Sequence, residues 1–245
     1  MTEHWLIVGA SSAIARAFVR EVARRGAAVT LAGRDLDDLQ AIAADARLRG
    51  APSALALRCD VSDASSRTGL MAELPPDGSV LNVLLAVGNM PEQAAMDADP
   101  ALLSTMLATN YSGPVALLQA LAARLEVQRE GRIVVIGSVA GDRGRRKNYL
   151  YGSAKAGLGL YADGLRARLY RAGVTVTLIK PGFVDTAMTW GLPGLFLVAS
   201  PEQCARRMLD AADRGAPTAY VPFFWRYIML IVRLIPAQVM KKLNF

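Results

Sequence analysis

The 245-residue chain contains a single histidine and only two cysteines. His4 alone cannot build a metal site or a histidine-containing catalytic triad, and we expect it to be a surface residue without a chemical role. Cys59 and Cys204 fall in segments that we interpret as a buried strand and a helix, which does not indicate a disulfide framework. Metal chemistry is therefore set aside, and a reducing, cytoplasmic setting is expected.

We expect neither a signal peptide nor a membrane span at the start of the sequence. The apolar run at residues 5–10 is too short for either, so we interpret it as a strand. The formal charge of +7 favours an anionic ligand, such as a dinucleotide, or a membrane surface. Nucleic acid is disfavoured because no nucleic-acid-binding motif accompanies the charge.

Short apolar runs alternate with longer segments of helical spacing along the chain. This alternation predicts one α/β domain, with a doubly wound, Rossmann-type parallel sheet of about seven strands and helices on both faces. We expect residues 1–222 to form this dinucleotide-binding catalytic domain, and residues 223–245 to add an amphipathic helical tail to it. The predicted strands are residues 5–8, 28–32, 54–58, 80–86, 132–136, 174–179 and 219–221, and the predicted helices are 14–25, 36–49, 101–125, 151–171 and 201–214.

A turn of small residues directly follows the first strand and opens a helix; its members are Gly9, Ser11, Ser12, Ala13 and Ile14. Small residues let the backbone approach a pyrophosphate, while the amides and dipole of the helix N-terminus favour negative charge. The pattern alone does not separate a nucleotide site from an ordinary turn.

Arg34 follows the second strand, where an acidic residue would bind the ribose hydroxyls of NAD and an arginine would favour a 2′-phosphate. It therefore predicts NADP(H) in preference to NAD(H). The alternative is a solvated loop arginine.

Tyr151 and Lys155 are four residues apart and project from the same face of a predicted helix. A neighbouring ammonium stabilises a phenolate, so we expect it to bring the tyrosine pKa down from about 10 toward the range of a useful general acid or base. Ser138 follows the fifth strand and is able to hydrogen-bond a substrate oxygen. Such a pair is common on solvated helices, so its significance depends on the motifs around it.

The order and spacing of these motifs resemble those of the classical short-chain dehydrogenases/reductases over residues 5–222. The resemblance implies an oxidoreductase acting on CH–OH groups, in which hydride passes between NADP(H) and a carbonyl or alcohol. It implies a homodimer or homotetramer. The catalytic residues that it implies are Asn110, Ser138, Tyr151 and Lys155.

The same resemblance implies further cofactor contacts: the side chain of Asp60 and the backbone of Val61 at the adenine, and the backbone of Val184 and hydroxyl of Thr186 at the carboxamide. Two departures stand out. Ala13 and Ala15 replace glycines, and residues 85–88 lack the asparagines that normally brace the central sheet. The full predicted cofactor set is Gly9, Ser11, Ser12, Ala13, Ile14, Arg34, Asp60, Val61, Gly88, Tyr151, Lys155, Pro181, Gly182, Val184 and Thr186.

Two stretches go beyond this general pattern. Residues 141–148 form a basic cluster beside the predicted active site, and residues 223–245 are apolar, with Arg226 and Arg233 seven apart on one helix face. The tail is too short and too charged to span a bilayer. An interfacial helix, a subunit interface and a lid over the active site all remain open.

These stretches resemble the keto-sugar reductase family of the decaprenylphosphoryl-ribose 2′-epimerases. That resemblance implies a 2-keto pentofuranose on a polyprenyl phosphate, with Arg143, Arg145 and Arg146 near the phosphate and peripheral contact with the inner face of the membrane. The alternative is a soluble carbonyl reductase or alcohol dehydrogenase acting on a small ketone or secondary alcohol. A dinucleotide-binding regulator without chemistry is disfavoured because all four catalytic residues are present.

Overall fold

The sheet has seven parallel strands, as predicted. The computed structural model describes residues 3–74, 79–191 and 196–243. The order across the sheet is β3-β2-β1-β4-β5-β6-β7, so the chain winds outward from the centre in both directions. The strands are β1 (Glu3–Val8), β2 (Ala28–Gly33), β3 (Ala54–Arg58), β4 (Val80–Leu85), β5 (Arg132–Ile136), β6 (Thr175–Pro181) and β7 (Thr218–Val221).

Helices cover both faces of this sheet, which buries every residue of β2 and β4. The helices are α1 (Ala13–Arg24), α2 (Leu36–Leu48), α3 (Ala64–Ala72), α4 (Gln93–Ala98), α5 (Pro100–Leu107), α6 (Gly113–Gln128), α7 (Tyr149–Leu169), α8 (Pro201–Asp213), α9 (Trp225–Leu234) and α10 (Ala237–Met240). One core contains residues of α1, α2 and α8, and the other contains residues of α3, α6 and α7. The predicted doubly wound architecture is confirmed.

Several helix ends follow from their capping residues. Ser200 caps α8 in a reciprocal capping box with Gln203, and Pro201 occupies the first turn. Gly26 and Gly173 adopt positive φ just after helices end. Most predicted bounds therefore lie within one or two residues of the observed ones.

The predicted single helix over residues 101–125 is wrong in one respect. The structure has α5, then a π-helical turn (Ala108–Ser112), then α6. Pro114 has no N–H to donate, and its ring would clash with the carbonyl four residues earlier, which belongs to Asn110. Widening the helix at that residue relieves the conflict, and π turns of this kind are frequent at functional sites.

The expectation that His4 is a surface residue is also wrong. Its side chain is buried in β1, an interior strand between β2 and β4, and Nε2 lies 2.8 Å from Oγ1 of Thr30. Burial lowers the pKa of His4, and the charge of Arg124 acts in the same direction. A position near the start of the chain does not reveal that its strand has neighbours on both sides.

The C-terminal tail packs on the body of the domain. Trp225 and Met229 on the inner face of α9 are buried against Val139, which follows the catalytic Ser138 candidate. Of the helices in the described part of the chain, none is long and apolar enough to cross a bilayer.

Candidate active site

The candidate site lies where the strand order reverses. Residues Val8 of β1 and Leu85 of β4 are register partners at the carboxyl ends of adjacent parallel strands. The connections after β1 and β4 then leave the sheet toward different sides and open a crevice, the usual ligand position in this fold.

The turn after β1 is built for close backbone approach. Gly9 has φ of 81°, and a Cβ there would lie 2.8 Å from the backbone carbonyl of Ala86. The hydroxyl of Ser12 accepts a hydrogen bond from the Ala15 amide at 3.2 Å and caps α1. Ala13 and Ala15 lie inside α1 without positive φ, so alanine is compatible with both positions. The turn therefore presents a helix N-terminus to the crevice.

Arg16 supports this turn, a role that the sequence did not reveal. Its Nε donates to the carbonyl oxygen of Ser11 at 3.0 Å, and its Nη2 contacts both carboxylate oxygens of Asp38 at 2.5 and 2.6 Å. Asp38 belongs to α2, so the guanidinium connects the turn to the next helix. No local motif marks this contact, because its partners are 22 residues apart.

Arg34 and Asp60 come together at the ends of β2 and β3. Hydrogen bonds from Ser62 lower the pKa of the Asp60 carboxyl, and the positive charge of Arg34 contributes in the same direction. The Ser62 amide and hydroxyl lie 2.9 and 2.6 Å from Oδ1 of Asp60. The next residue, Val61, is buried, and its carbonyl accepts a hydrogen bond from Arg67 at 2.7 Å.

Ser138 and Tyr151 meet because the turn after β5 packs directly on α7. A Cβ at Gly152 would lie 2.8 Å from the Ala140 carbonyl oxygen, and a Cβ at Gly141 would lie 2.9 Å from a backbone nitrogen of α7. Ser138 caps this short 3-10 turn by accepting from the Ala140 amide at 3.1 Å. The Ser138 hydroxyl lies close enough to the Tyr151 hydroxyl to lower the pKa of the tyrosine by hydrogen bonding.

Lys155 is buried beside Tyr151. Its Nζ lies 5.9 Å from the centre of the Tyr151 ring and donates to the carbonyl oxygens of Ile136 at 3.1 Å and Val87 at 3.4 Å. These carbonyls lie at the ends of β5 and β4. The lysine is thus positioned by the sheet rather than by a carboxylate.

Asn110 is fully buried in the π-helical turn. Its Nδ2 donates to Oδ1 of Asn89 at 2.7 Å and to the Asn89 carbonyl at 2.9 Å. A Cβ at Gly88 would lie 2.8 Å from Oδ1 of Asn110 and 3.2 Å from Nζ of Lys155. Glycine at position 88 therefore lets the amide and the ammonium approach the same strand end.

The expectation that the central sheet lacks a stabilising asparagine after β4 is only partly correct. Residues 85–88 contain no asparagine, but Asn89 bonds to Asn110 immediately after them. Buried Asn82 adds a second brace, since its Oδ1 accepts from the Arg132 amide on β5 at 2.9 Å. The amides are displaced along the chain rather than absent.

The acid–base properties of the pair differ from the expectation. Burial raises the pKa of Tyr151 to about 12, and the hydrogen bond with Ser138 opposes this rise. Burial lowers the pKa of Lys155 to about 8. The predicted lowering of the tyrosine pKa by the ammonium is therefore not found; the loss of solvent dominates the shift. Near neutral pH the tyrosine carries its proton.

The predicted nicotinamide-side loop begins where β6 ends, at Pro181. The Gly182 amide donates to the Val221 carbonyl at 3.0 Å, and a Cβ at Gly182 would lie only 1.9 Å from Nε1 of Trp225. Only glycine leaves room for this indole. No local motif marks Trp225 as a site residue, because its partner lies 43 positions earlier.

An aromatic wall forms beside this glycine. The ring of Trp225 lies 5.3 Å from that of Phe183 and 5.6 Å from that of Phe196, measured between centroids. The indole N–H is buried and finds no hydrogen-bond partner in the part of the chain that the structure describes. We name Phe183, Phe196 and Trp225 the aromatic wall.

The rest of the loop is held by Thr189. Its hydroxyl donates to the Val184 carbonyl at 2.5 Å and accepts from the Thr186 amide at 3.2 Å. Val184 is buried, and Thr186 is half-buried. Both residues predicted to contact the carboxamide therefore belong to one hydrogen-bonded turn.

The basic cluster meets the C-terminal tail. Nη2 of Arg143 donates to the Ile235 carbonyl at 3.0 Å. Arg143, Arg145 and Arg146 share a groove of about 520 Å³ with α10 residues. The structure thus brings these predicted substrate residues together with the tail. Across residues 3–74, 79–191 and 196–243 there is no cluster of three or more potential metal ligands.

Asp142 connects this cluster to the sheet. Its buried carboxylate lies 2.5 Å from Nζ of Lys180 on β6 and accepts a hydrogen bond from Tyr220 on β7 at 2.7 Å. Burial, followed by the contact with Asp142, raises the pKa of Tyr220 to about 12. These contacts attach the turn after Ser138 to β6, which precedes the nicotinamide-side loop, and to β7, which precedes the tail.

Comparison with known proteins agrees with this geometry. A family profile described as short chain dehydrogenase matches residues 3–193. An uncharacterized oxidoreductase of Mycobacterium tuberculosis is 35% identical over 239 residues, which cover 97% of this chain and 96% of the relative. A cyclohexanol dehydrogenase of Rhodococcus sp. is 31% identical over 201 residues, covering 74% of each chain.

A solved structure has the same fold. The short-chain dehydrogenase from Sphingobium yanoikuyae, determined in complex with NADPH, superposes with a TM-score of 0.81 at 23% identity. The match covers 96% of this chain and 97% of that one.

Proposed function

The chain belongs to the short-chain dehydrogenase family, and from this premise we propose that it is an NADP(H)-dependent oxidoreductase that reduces a carbonyl to an alcohol or catalyses the reverse reaction. The observation that carries the proposal is the cluster of buried Asn110, Tyr151 and Lys155 with half-buried Ser138 at the carboxyl ends of β4 and β5. Oxidoreductase is also the printed description of the M. tuberculosis relative.

The residues present fit a phosphorylated dinucleotide. The Gly9 turn, which only glycine fits because a Cβ there would collide with the backbone of Ala86, brings the N-terminus of α1 to the crevice, where its amides would receive the pyrophosphate. The exposed Arg34 beside Asp60 would pair with a 2′-phosphate. Lys155 would hold the ribose, and the loop from Pro181 to Thr186 would hold the nicotinamide. Once bound, this cofactor supplies or accepts the hydride.

The protein's own groups handle the proton. Tyr151 is protonated near neutral pH and donates to the carbonyl oxygen during reduction. Ser138, hydrogen-bonded to the tyrosine, stabilises the charge that develops on that oxygen. Lys155 stabilises the phenolate that remains, and Asn110 orients a water beside the lysine. The aromatic wall supplies the apolar side of the substrate pocket.

The test is oxidation of NADPH and NADH by purified protein, followed by nicotinamide absorbance, with a panel of cyclic and open-chain ketones. A cyclic ketone is a natural starting point because the Rhodococcus relative is named a cyclohexanol dehydrogenase. Turnover that requires NADPH and disappears in Tyr151→Phe supports the proposal. Equal turnover by the wild type and Tyr151→Phe would contradict it.

A lipid-linked substrate is the second candidate, favoured by the groove between the basic cluster and the tail. A 2-keto pentofuranose on a polyprenyl phosphate would place its phosphate near Arg143, Arg145 and Arg146 and its chain along residues 223–243. This candidate predicts faster turnover of the lipid-linked sugar than of its water-soluble analogue, with a smaller difference in an Arg145→Ala/Arg146→Ala variant. Equal rates on simple ketones would favour the small-ketone alternative.

As part of the same proposal, the enzyme acts as a homodimer or homotetramer. Family membership supports this assembly, and so do exposed apolar side chains such as Leu160 on α7, which is 76% exposed in the single chain. Light scattering of the purified protein measures it directly.

A further inference from the structure

The tail has two apolar faces, and only one of them is covered. The inner face of α9 buries Trp225 and Met229 against the domain. On the outer face Ile231 is 67% exposed and Leu234 is 73% exposed. The other large exposed apolar side chains of the described tail are Phe223, Tyr227, Leu230 and Val239. A helix that is apolar on its outer side is unusual on a surface that meets only water.

The charge around this stripe has one sign. No aspartate or glutamate follows Asp213, whereas residues 223–243 contain Arg226, Arg233, Lys241 and Lys242. The adjoining turn, residues 143–147, adds four more cations. We name residues 143–147 and 223–243 the docking face.

The groove within the docking face is suited to an amphiphilic anion. Its basic wall includes Arg145, whose buried Nε finds no hydrogen-bond partner among the described residues. Its apolar wall includes Met240 and Leu243. No carboxylate lines the groove within the described ranges, although Asp97 accepts a hydrogen bond from Tyr149 at its edge.

We propose that the docking face binds the surface of an anionic bilayer, with the stripe of α9 inserted at the headgroup level and lipid phosphates held by the cations of the groove. An apolar helix face flanked by basic residues binds anionic membranes in this way. A second copy is a poorer occupant, because a two-fold interface would place this cationic face against itself. The proposal does not depend on the reaction that the enzyme catalyses.

The test is co-sedimentation of the full chain with vesicles of phosphatidylglycerol and phosphatidylcholine, compared with phosphatidylcholine alone. We expect binding only to the anionic vesicles, and weaker binding as salt is raised. Equal binding to both vesicles, or binding to neither, would overturn the proposal.

Two variants separate the charges from the stripe. Lys241→Gln/Lys242→Gln removes two exposed cations and should weaken vesicle binding about 30-fold, at roughly 1 kcal/mol per cation. Ile231→Glu/Leu234→Glu should weaken it at least as much, because charges replace the inserted side chains. All four positions are partly or fully exposed, so thermal unfolding should change little.

The matched control is Leu48→Glu/Val127→Glu, which replaces exposed apolar residues elsewhere, 88% and 83% exposed respectively. It should bind anionic vesicles like the wild type. Equal losses in the control and in the Ile231→Glu/Leu234→Glu variant would contradict a specific face. So would an Ile231→Glu/Leu234→Glu variant that dissociates an oligomer in light scattering and leaves vesicle binding intact.

Discussion

At the residue scale, Lys155 shows how burial sets the chemistry of the site. Among the residues that the structure describes, the ammonium has two carbonyl partners and no carboxylate partner, and it is almost completely removed from solvent. Its pKa falls to about 8 for that reason. A lysine with such a pKa is partly deprotonated within the physiological range, which makes the state of the site sensitive to pH.

The pKa of Lys155 predicts a pH-dependent stability. Between pH 8 and the ordinary lysine pKa of 10.5 the unfolded chain binds more protons than the folded one, so this group makes stability rise with pH across that window. Below pH 8 the buried charge is fully present. We therefore expect Lys155→Met to be more stable than the wild type at pH 7, by up to about 3 kcal/mol, and the gain to shrink toward pH 10.

Urea unfolding of both proteins at pH 7 and pH 10 measures this difference. Tyr151 is present in both proteins, so its contribution to the pH dependence of stability cancels in the difference between them. A stability difference that grows with pH would contradict the assigned direction of the lysine shift.

Arg34 predicts the choice of cofactor. Replacing Arg34 by glutamine removes a charge-assisted pair with the 2′-phosphate, so kcat/KM for NADPH should fall about 10- to 100-fold while the value for NADH changes little. Steady-state kinetics with each cofactor measure the ratio. Arg207→Gln, at an exposed position of α8, is the control and should leave both values unchanged. A loss of similar size for both cofactors would argue against phosphate recognition at this position.

At the element scale, the π-helical turn between α5 and α6 places Asn110. Pro114 removes the amide that would otherwise donate to the Asn110 carbonyl, and the widened turn directs the Asn110 side chain to Asn89 beside Lys155. Local helix geometry therefore controls a candidate catalytic group.

Pro114→Ala tests this control. Alanine restores the amide and permits a regular helix, so the Asn110 side chain should rotate away from Asn89. We expect kcat to fall about 10-fold or more, since misplacement of about 1 Å can cost 100-fold, with no loss of thermal stability. Turnover and unfolding temperature are measured together, and Pro201→Ala in α8 is the matched control. Unchanged turnover would mean that the π turn does not position Asn110.

At the scale of the whole molecule, the proposed cofactor would connect the two halves of the sheet. The pyrophosphate turn follows β1, Arg34 follows β2, and the nicotinamide-side loop follows β6, so one dinucleotide would contact strands from both sides of the crevice. Ligands that bind only the folded state stabilise it in proportion to the logarithm of their concentration.

NADPH should therefore protect the protein against heat. At about 100 times its dissociation constant, a ligand adds about 2.7 kcal/mol, which corresponds to a rise of roughly 5–10 °C for a domain of this size. NADH at the same concentration should give a smaller rise. Scanning fluorimetry with both cofactors measures the shifts, and a larger shift from NADH would contradict the proposed NADP(H) preference.

The amino-acid sequence by itself determined the seven strands and the longer helices in chain order, the Gly9 turn, and the positions of Ser138, Tyr151 and Lys155 along the chain; it did not reveal the short helices α3 and α4. These features depend on local hydrophobic period and on residues close in sequence, so the pattern alone predicts them.

Only the tertiary structure decided the burial of His4, the Asn89–Asn110 pair, the indole against Gly182, and the direction of the Tyr151 pKa shift. Each depends on groups brought together from distant parts of the chain and on the water that packing removes. The spatial arrangement of these groups and the extent of their burial are properties of the folded molecule and are absent from any local pattern.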